Sequence, residues 1–258
     1  MQNHSFVSEE QINFFKENGY LLIENIISPE EVQLYSKIYS NFLDGTIDTG
    51  KNRADLGEGL GKSGKVEAIT QIMWPSDFMP ELLEMSYHKR VLSIARELLG
   101  DDIDFDFDML INKAPGTNTP TPWHQDAAYW INMPDQRAVS CWMALDHAFK
   151  ENGCMWYVPG SHLQPLRQHR FAGKEGGALM CDCSEEEGVA IEINPGSCVF
   201  HHGHTLHYSR GNSTEGNRRA YIINLRPEKM IALEREKGHD HGRGGQADDR
   251  KIRNEEIK

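Results

Sequence analysis

The chain has 258 residues, of which 38% are hydrophobic and 26% are charged. This length allows one large domain or two small ones and is sufficient to bury a substantial core. Asp and Glu number 39 against 27 Lys and Arg, which gives a formal net charge of -12 with His neutral. This acidity argues against nucleic acid and anionic membranes as partners, because both are bound through basic patches. No run approaches the roughly 18 apolar residues of a membrane-spanning helix, and neither a secretory signal nor a peroxisomal address is recognisable.

The five cysteines indicate a reducing compartment. Their number is odd, no C-x-x-C pair occurs, and Cys181 and Cys183 are separated by a single residue. That spacing is poor geometry for a disulfide and a weak metal signal. We therefore expect a soluble cytoplasmic protein whose cysteines behave as small core residues.

The first hundred residues are predicted to be mainly helical. Two helix starts are marked by a Ser cap followed three residues later by Gln or Glu, and Gly19 is expected to end the first helix. The region between Gly45 and Gly64, rich in Gly, Asp and Lys, is predicted to be a long flexible loop, a type of segment that often serves as a lid. The predicted elements are a helix after Ser8, a β-like run from Tyr20 to Ile27, a helix from Ser28 to about Phe42 and a helix over Pro80 to Leu99.

From Asp104 onward the hydrophobic pattern changes to a period of two, which is typical of half-buried strands. Turn signals such as Pro195-Gly196 separate the candidate strands. Helices followed by many short strands predict a mainly β fold with flanking α-helices, in which a double-sheet, jelly-roll or cupin-like barrel carries helices outside. We expect a single domain, with a mainly helical part over 1–100, a barrel core over 101–227 and a C-terminal tail over 228–258. The candidate strands are Asp104 to Ile111, Ala138 to Ala144, Met155 to Val158, Val189 to Ile193, Ser197 to His201 and Arg219 to Leu225.

Histidines dominate the candidate chemistry, and eight of the twelve fall from His124 to His207 inclusive. In Trp123-His124-Gln125-Asp126, residues 124 and 126 would share one face of a strand, so both side chains can reach one ion. Two imidazoles and one carboxylate are the ligand set of non-heme Fe(II) oxygenases. By composition alone, the third ligand remains open among four histidines: His201, His202, His204 and His207.

Three segments together resemble the phytanoyl-CoA dioxygenase family. They are Trp123 to Asp126, the run Glu151-Asn152-Gly153-Cys154-Met155-Trp156-Tyr157-Val158-Pro159-Gly160-Ser161-His162, and Phe200 to Ala220 with Arg218 inside it. The resemblance covers most of the chain and includes Asn18-Gly19-Tyr20-Leu21, but it thins out after about Pro227. It implies a double-stranded β-helix that uses Fe(II), 2-oxoglutarate and O2.

Carried over by position, the resemblance assigns the metal ligands and the co-substrate site. His124 and Asp126 match the family's H-x-D, and His207 matches its distal ligand. Arg218, eleven residues after His207, matches the arginine that pairs with the far carboxylate of 2-oxoglutarate, a role suited to a bidentate guanidinium. Ser209 is expected to add a supporting hydroxyl.

Further assignments carry competing structural explanations. Trp142, Met109 and Lys65 match lesser co-substrate contacts in relatives, although Trp142 and Met109 can equally be core residues. Arg219 competes with Arg218, since neighbouring strand residues point to opposite faces and only one can reach the cavity. His162 after a Pro-Gly-Ser turn is expected to bond backbone rather than metal.

Aromatic residues near the H-x-D motif and a second histidine pair complete the candidates. Tyr129 and Trp130 are predicted to contact substrate, and Trp123 and Trp74 are further candidates for the entrance, where aromatic faces would suit a cationic or apolar ligand. Bulk core packing explains these four aromatic residues equally well. His239-Asp240-His241 resembles a metal motif, but its Gly-rich, charged surroundings predict a solvated tail or lid.

The function predicted from this pattern is a dioxygenase that hydroxylates a small molecule and releases succinate and CO2. Asp126 favours hydroxylation or desaturation, because related halogenases replace this carboxylate with a small residue. The alternative is a non-catalytic or differently metallated cupin-like barrel that binds a small molecule.

Overall fold

A computed structural model describes residues 5–57, 66–172 and 178–243 of the chain. Helices and strands alternate irregularly before residue 100, and strands dominate after it. The helices are α1 (Glu9–Asn18), α2 (Pro29–Leu43), α3 (Pro75–Phe78), α4 (Ser86–Leu99) and α5 (Glu228–Glu236). The strands are β1 (Tyr20–Ile23), β2 (Arg53–Asp55), β3 (Ile69–Met73), β4 (Ile103–Lys113), β5 (Thr121–His124), β6 (Val139–Ala144), β7 (Met155–Tyr157), β8 (Arg170–Phe171), β9 (Leu179–Met180), β10 (Val189–Ile191), β11 (Cys198–His202), β12 (His207–Ser209) and β13 (Arg218–Pro227).

Both predicted capping boxes begin helices. The Ser8 hydroxyl accepts the backbone N–H of Gln11, whose side chain accepts the N–H of Ser8 in return. Ser28 and Glu31 make the same reciprocal pair at the start of α2. Gly19 ends α1 with a positive φ of 78°, a conformation that glycine adopts without a steric penalty. Local side-chain chemistry therefore sets the first two helices, as the sequence predicted.

Two antiparallel sheets form the barrel. The larger has the strand order β1-β11-β6-β13-β4-β3-β2, and the smaller has the order β10-β7-β12-β5. Side chains alternate along β13, so that Ala220 and Ile222 enter the core shared by both sheets. Tyr221 and Ile223 point the other way and pack with the helices. The predicted class, a mainly β jelly roll with flanking helices, is confirmed.

Two predictions of irregular structure are wrong in part. The segment predicted as a loop from Gly45 to Gly64 contains strand β2, which pairs with β3 at the edge of the larger sheet. The predicted solvated tail begins with helix α5, and His239 after it is 3% exposed. Lys65 and residues 244–258 lie outside the described residues.

The third predicted helix is divided. Pro80–Glu84 forms a single 3-10 segment, and the α-helix begins only at Ser86. None of the helices in the described part of the chain is long and apolar enough to cross a membrane.

Candidate active site

Three side chains of the predicted metal set converge at the end of the smaller sheet. His124 on β5 and His207 on β12 stand opposite each other in the strand register. Asp126 follows β5 at the start of a 3-10 turn. The Oδ1 atom of Asp126 lies 3.6 Å from Nε2 of His124 and 3.4 Å from Nε2 of His207. These three ligand atoms are close enough to share one metal ion.

The other ring nitrogen of His124 and of His207 is hydrogen-bonded to a backbone carbonyl. Nδ1 of His124 lies 2.7 Å from the carbonyl of Pro122, and Nδ1 of His207 lies 2.9 Å from that of Thr205. A carbonyl can only accept, so each Nδ1 donates, and Nε2 is the atom that carries the lone pair whenever the imidazole is neutral. Both imidazoles are thereby held in the tautomer that a metal requires.

The second carboxylate oxygen of Asp126 is held by a polar row on the larger sheet. Its Oδ2 accepts from Ser140 at 2.9 Å and lies 3.2 Å from Nε2 of His201. His201, Ser140 and Asn224 are direct neighbours across β11, β6 and β13, and Oγ of Ser140 also lies 2.6 Å from Oδ1 of Asn224. These contacts leave Oδ1 directed at the two imidazoles.

The charge state of Asp126 follows from its surroundings. Burial alone would raise its pKa, but His207, His124 and His201 outweigh that effect and hold the pKa well below its usual range. The carboxylate is therefore ionised at neutral pH, as a metal ligand must be.

We expect His201→Gln to lower the rate of 2-oxoglutarate turnover about 10- to 100-fold, the usual cost of losing a residue that orients a ligand. Its effect should fall on metal affinity, because His201 touches the carboxylate rather than the ion. Fe(II) titration of the variant measures this directly. Unchanged iron affinity and turnover would show that His201 does not position Asp126.

Arg218 is buried close by without a carboxylate partner. It is 1% exposed, and among the described residues its Nε and Nη1 find no hydrogen-bond partner. Its guanidinium lies over the Trp142 ring at 5.1 Å, and burial lowers the pKa of Arg218 to about 10. Lys113, its neighbour on β4, is also fully buried. An anionic ligand would neutralise this charge, since an unpaired buried cation is costly.

Arg219 takes the opposite side of β13, as the alternation predicts. Its guanidinium pairs with Asp146 at 2.7 Å, facing the helices rather than the cavity. His162 also follows its prediction, since its Nε2 lies 3.1 Å from the backbone carbonyl of Lys16.

A cavity of about 550 Å³ joins the histidine cluster to Arg218. Part of its lining is apolar and includes Ile69, Met73 and Phe107. The predicted residues that reach it include both substrate candidates and most co-substrate contacts. They are Met109, Tyr129, Trp130, Trp142 and Ser209.

For two of the candidate entrance residues, the structure matches the alternative of core packing. Trp123 stacks on Tyr208 with ring centroids 4.9 Å apart, and Trp74 is buried beside Phe105. Neither is among the described residues that line the cavity. Lys65 lies outside the described residues, so its predicted contact stays a prediction.

Comparison with known proteins decides the family. The family model described as phytanoyl-CoA dioxygenase (PhyH) matches residues 15–220. A probable phytanoyl-CoA dioxygenase of Caenorhabditis elegans is 30% identical over 234 residues, which cover 84% of this chain and 74% of that protein. The chain belongs to the phytanoyl-CoA dioxygenase family.

Other relatives agree. The human peroxisomal phytanoyl-CoA dioxygenase is 27% identical over 229 residues, covering 84% of this chain and 68% of that protein. The crystal structure of EvdO2 from Micromonospora carbonacea var. aurantiaca, complexed with 2-oxoglutarate, superimposes with a TM-score of 0.70 at 28% identity, covering 87% of this chain and 93% of that one. Membership of the phytanoyl-CoA dioxygenase family confirms the predicted 2-oxoglutarate-dependent dioxygenase and its use of Fe(II), 2-oxoglutarate and O2.

The sequence did not predict part of the cavity wall. His239 and His241 line the cavity, although their segment was expected to be solvated. His201 was considered only as an alternative metal ligand, and the orienting role of Ser140 was not foreseen. The signal for these two was available in principle, because a polar residue in an apolar strand needs a buried partner.

Proposed function

We propose that this protein hydroxylates a small molecule, with His124, Asp126 and His207 holding Fe(II) and Arg218 and Ser209 binding the far carboxylate of 2-oxoglutarate. One observation carries the proposal: a buried guanidinium that has no anionic partner among the described residues shares a cavity with two imidazoles and a carboxylate. The cluster suits a divalent ion, and the guanidinium suits a carboxylate. A barrel that only binds a small molecule would not need both a metal-ligand cluster and a buried guanidinium in the same cavity.

The residues of the chain bind, orient and exclude water. When bound, iron and 2-oxoglutarate supply the oxidising chemistry, in which O2 is consumed and 2-oxoglutarate is converted to succinate and CO2. Asp126 and the two Nε2 atoms would hold the ion from one side and leave the cavity side open to ligands. Arg218 would fix the co-substrate at its far end and so set its orientation, while Trp142 covers one face of the guanidinium.

The substrate would occupy the apolar part of the cavity. Tyr129 lies edge-on to His124 with ring centroids 5.7 Å apart, next to where the ion would be held. Trp130 packs so closely against Gly203 that a Cβ at that position would clash with the indole ring, and the Arg226 guanidinium lies over the same ring at 4.2 Å. These two aromatic rings would therefore form a rigid wall for an apolar portion of the substrate.

Isotopic labelling tests hydroxylation once a substrate is found by succinate release from a small-molecule panel. Under labelled O2, we expect one labelled oxygen atom in succinate and one in the product. A product that has lost two hydrogens and gained no label would assign desaturation instead. Panel compounds that bind the iron-loaded protein without any succinate release would favour the binding barrel.

We further propose a reducing compartment such as the cytoplasm. All five cysteines are free, and four of them are buried. Burial raises the pKa of Cys154 to about 12, which keeps this thiol protonated and inert.

A further inference from the structure

A second cluster of metal-ligating side chains lies in the wall of the same cavity. Glu234 belongs to α5, and His239 and His241 follow that helix. Nε2 of His241 lies 3.3 Å from Oε2 of Glu234, and Nε2 of His239 lies 3.7 Å from Oε1. All three side chains are nearly inaccessible, with 0%, 4% and 6% exposure for Glu234, His239 and His241. Their ligand atoms lie within 4.8 Å of one another.

The spacing resembles that of the first cluster. There the two imidazole nitrogens lie 3.4 and 3.6 Å from the shared carboxylate oxygen. Imidazole with carboxylate oxygen is a donor set that Zn(II) and neighbouring divalent ions accept. We propose that Glu234, His239 and His241 form a second binding site for a divalent transition metal such as Zn(II), separate from the iron centre.

Asp106 on β4 would supply a fourth ligand, a carboxylate oxygen. Its Oδ2 lies 3.2 Å from Nε2 of His241, and it is fully buried. Within the described part of the chain, that His241 nitrogen has no hydrogen-bond partner of good geometry. Four protein ligands would close the coordination shell, which is typical of structural rather than catalytic zinc. The ion would then fix the segment after α5 against the barrel, where His239, His241 and Gly242 line the cavity.

Two arginines limit how tightly the ion is held. Arg226 contacts Asp106 at 2.8 Å and Glu234 at 3.1 Å, and Arg235 contacts the same two carboxylates. Two guanidiniums already balance two carboxylates, so a divalent ion leaves the cluster net positive. We therefore expect weaker affinity than at the iron centre. Removing one of these positive charges by Arg235→Gln should raise the affinity several-fold.

Metal stoichiometry tests the site without any turnover. Full-length Asp126→Ala, which lacks the first cluster's carboxylate, is dialysed against Zn(II) or Co(II), and bound metal is determined by elemental analysis. We expect the Asp126→Ala protein to bind one equivalent of metal. The double variant that also carries His241→Gln should bind none at the same free metal concentration. His88→Gln, which removes a buried imidazole belonging to neither cluster, should leave the equivalent in place.

Two results would overturn the second site. One is an Asp126→Ala protein that binds no Zn(II) or Co(II), and the other is an equivalent that survives both His239→Gln and His241→Gln. Circular dichroism of the metal-free variants checks that they are folded. Arg235→Gln provides an independent measurement that removes no ligand, and unchanged or weakened affinity there would also contradict the proposal.

Discussion

Replacing Asp126 by alanine is expected to abolish 2-oxoglutarate turnover, with a loss of more than about 100-fold, since even residues that only orient a metal ligand contribute 10- to 100-fold. The change removes the only carboxylate of the cluster and leaves two neutral imidazoles, which bind divalent iron weakly. It also leaves Ser140 and His201 without their shared acceptor. Succinate formation under saturating Fe(II) and 2-oxoglutarate measures the effect.

Asp182→Ala is the matched control for this experiment. Asp182 is also a carboxylate in a loop, but its side chain is 88% exposed, and its ion pair within the described residues is with the surface residue Arg170. Such surface pairs contribute little, so turnover should stay at the wild-type rate. If Asp126→Ala also turned over 2-oxoglutarate at the wild-type rate, the assignment of Asp126 as a ligand would be wrong.

Arg218→Met is expected to raise the KM for 2-oxoglutarate on the order of 100-fold, the usual cost of removing one partner of a buried charge pair. The same change should leave the metal-free, ligand-free protein at least as stable as the wild type. Its Nε and Nη1 find no partner among the described residues, and methionine fills similar space without a buried charge. Steady-state kinetics and thermal melting measure the two effects.

The neighbouring Arg219→Met provides a control with the opposite signature. Arg219 pairs with Asp146 on the helical side of β13, so its loss should lower the melting temperature and leave the KM unchanged. A KM that rises equally in both variants would mean that Arg218 does not bind the co-substrate. A melting temperature that falls sharply for Arg218→Met would show instead that its charge is compensated in the ligand-free protein.

Much of the fold was predictable because its determinants are local. The Ser8 and Ser28 boxes lie within four residues, and the alternation along β13 is visible in the sequence itself. Strands β2 and β12, by contrast, were not among the predicted strands. Strand β2 depends on pairing with β3, and strand β12 depends on pairing with β5 and β7. The local sequence does not encode these pairings.

The candidate site divides in the same way. His124 and Asp126 share a local motif, whereas the contact between His201 and Asp126 spans 75 residues and depends on strand register. The second cluster was misjudged because glycines and charges around His241 are typical of solvated chain. The buried His241 side chain contacts Glu234 and also Asp106, which lies more than a hundred residues earlier in the chain. Charge pairing over such separations cannot be predicted from the surrounding sequence.

The most direct test of the central claim is an anaerobic titration of the metal-free protein with Fe(II) and 2-oxoglutarate, followed by visible absorption. We predict the charge-transfer band of a bidentate 2-oxoglutarate chelate, lost in Asp126→Ala and weakened in Arg218→Met. A folded wild-type protein that shows no band would contradict the assignment of these residues to iron and 2-oxoglutarate.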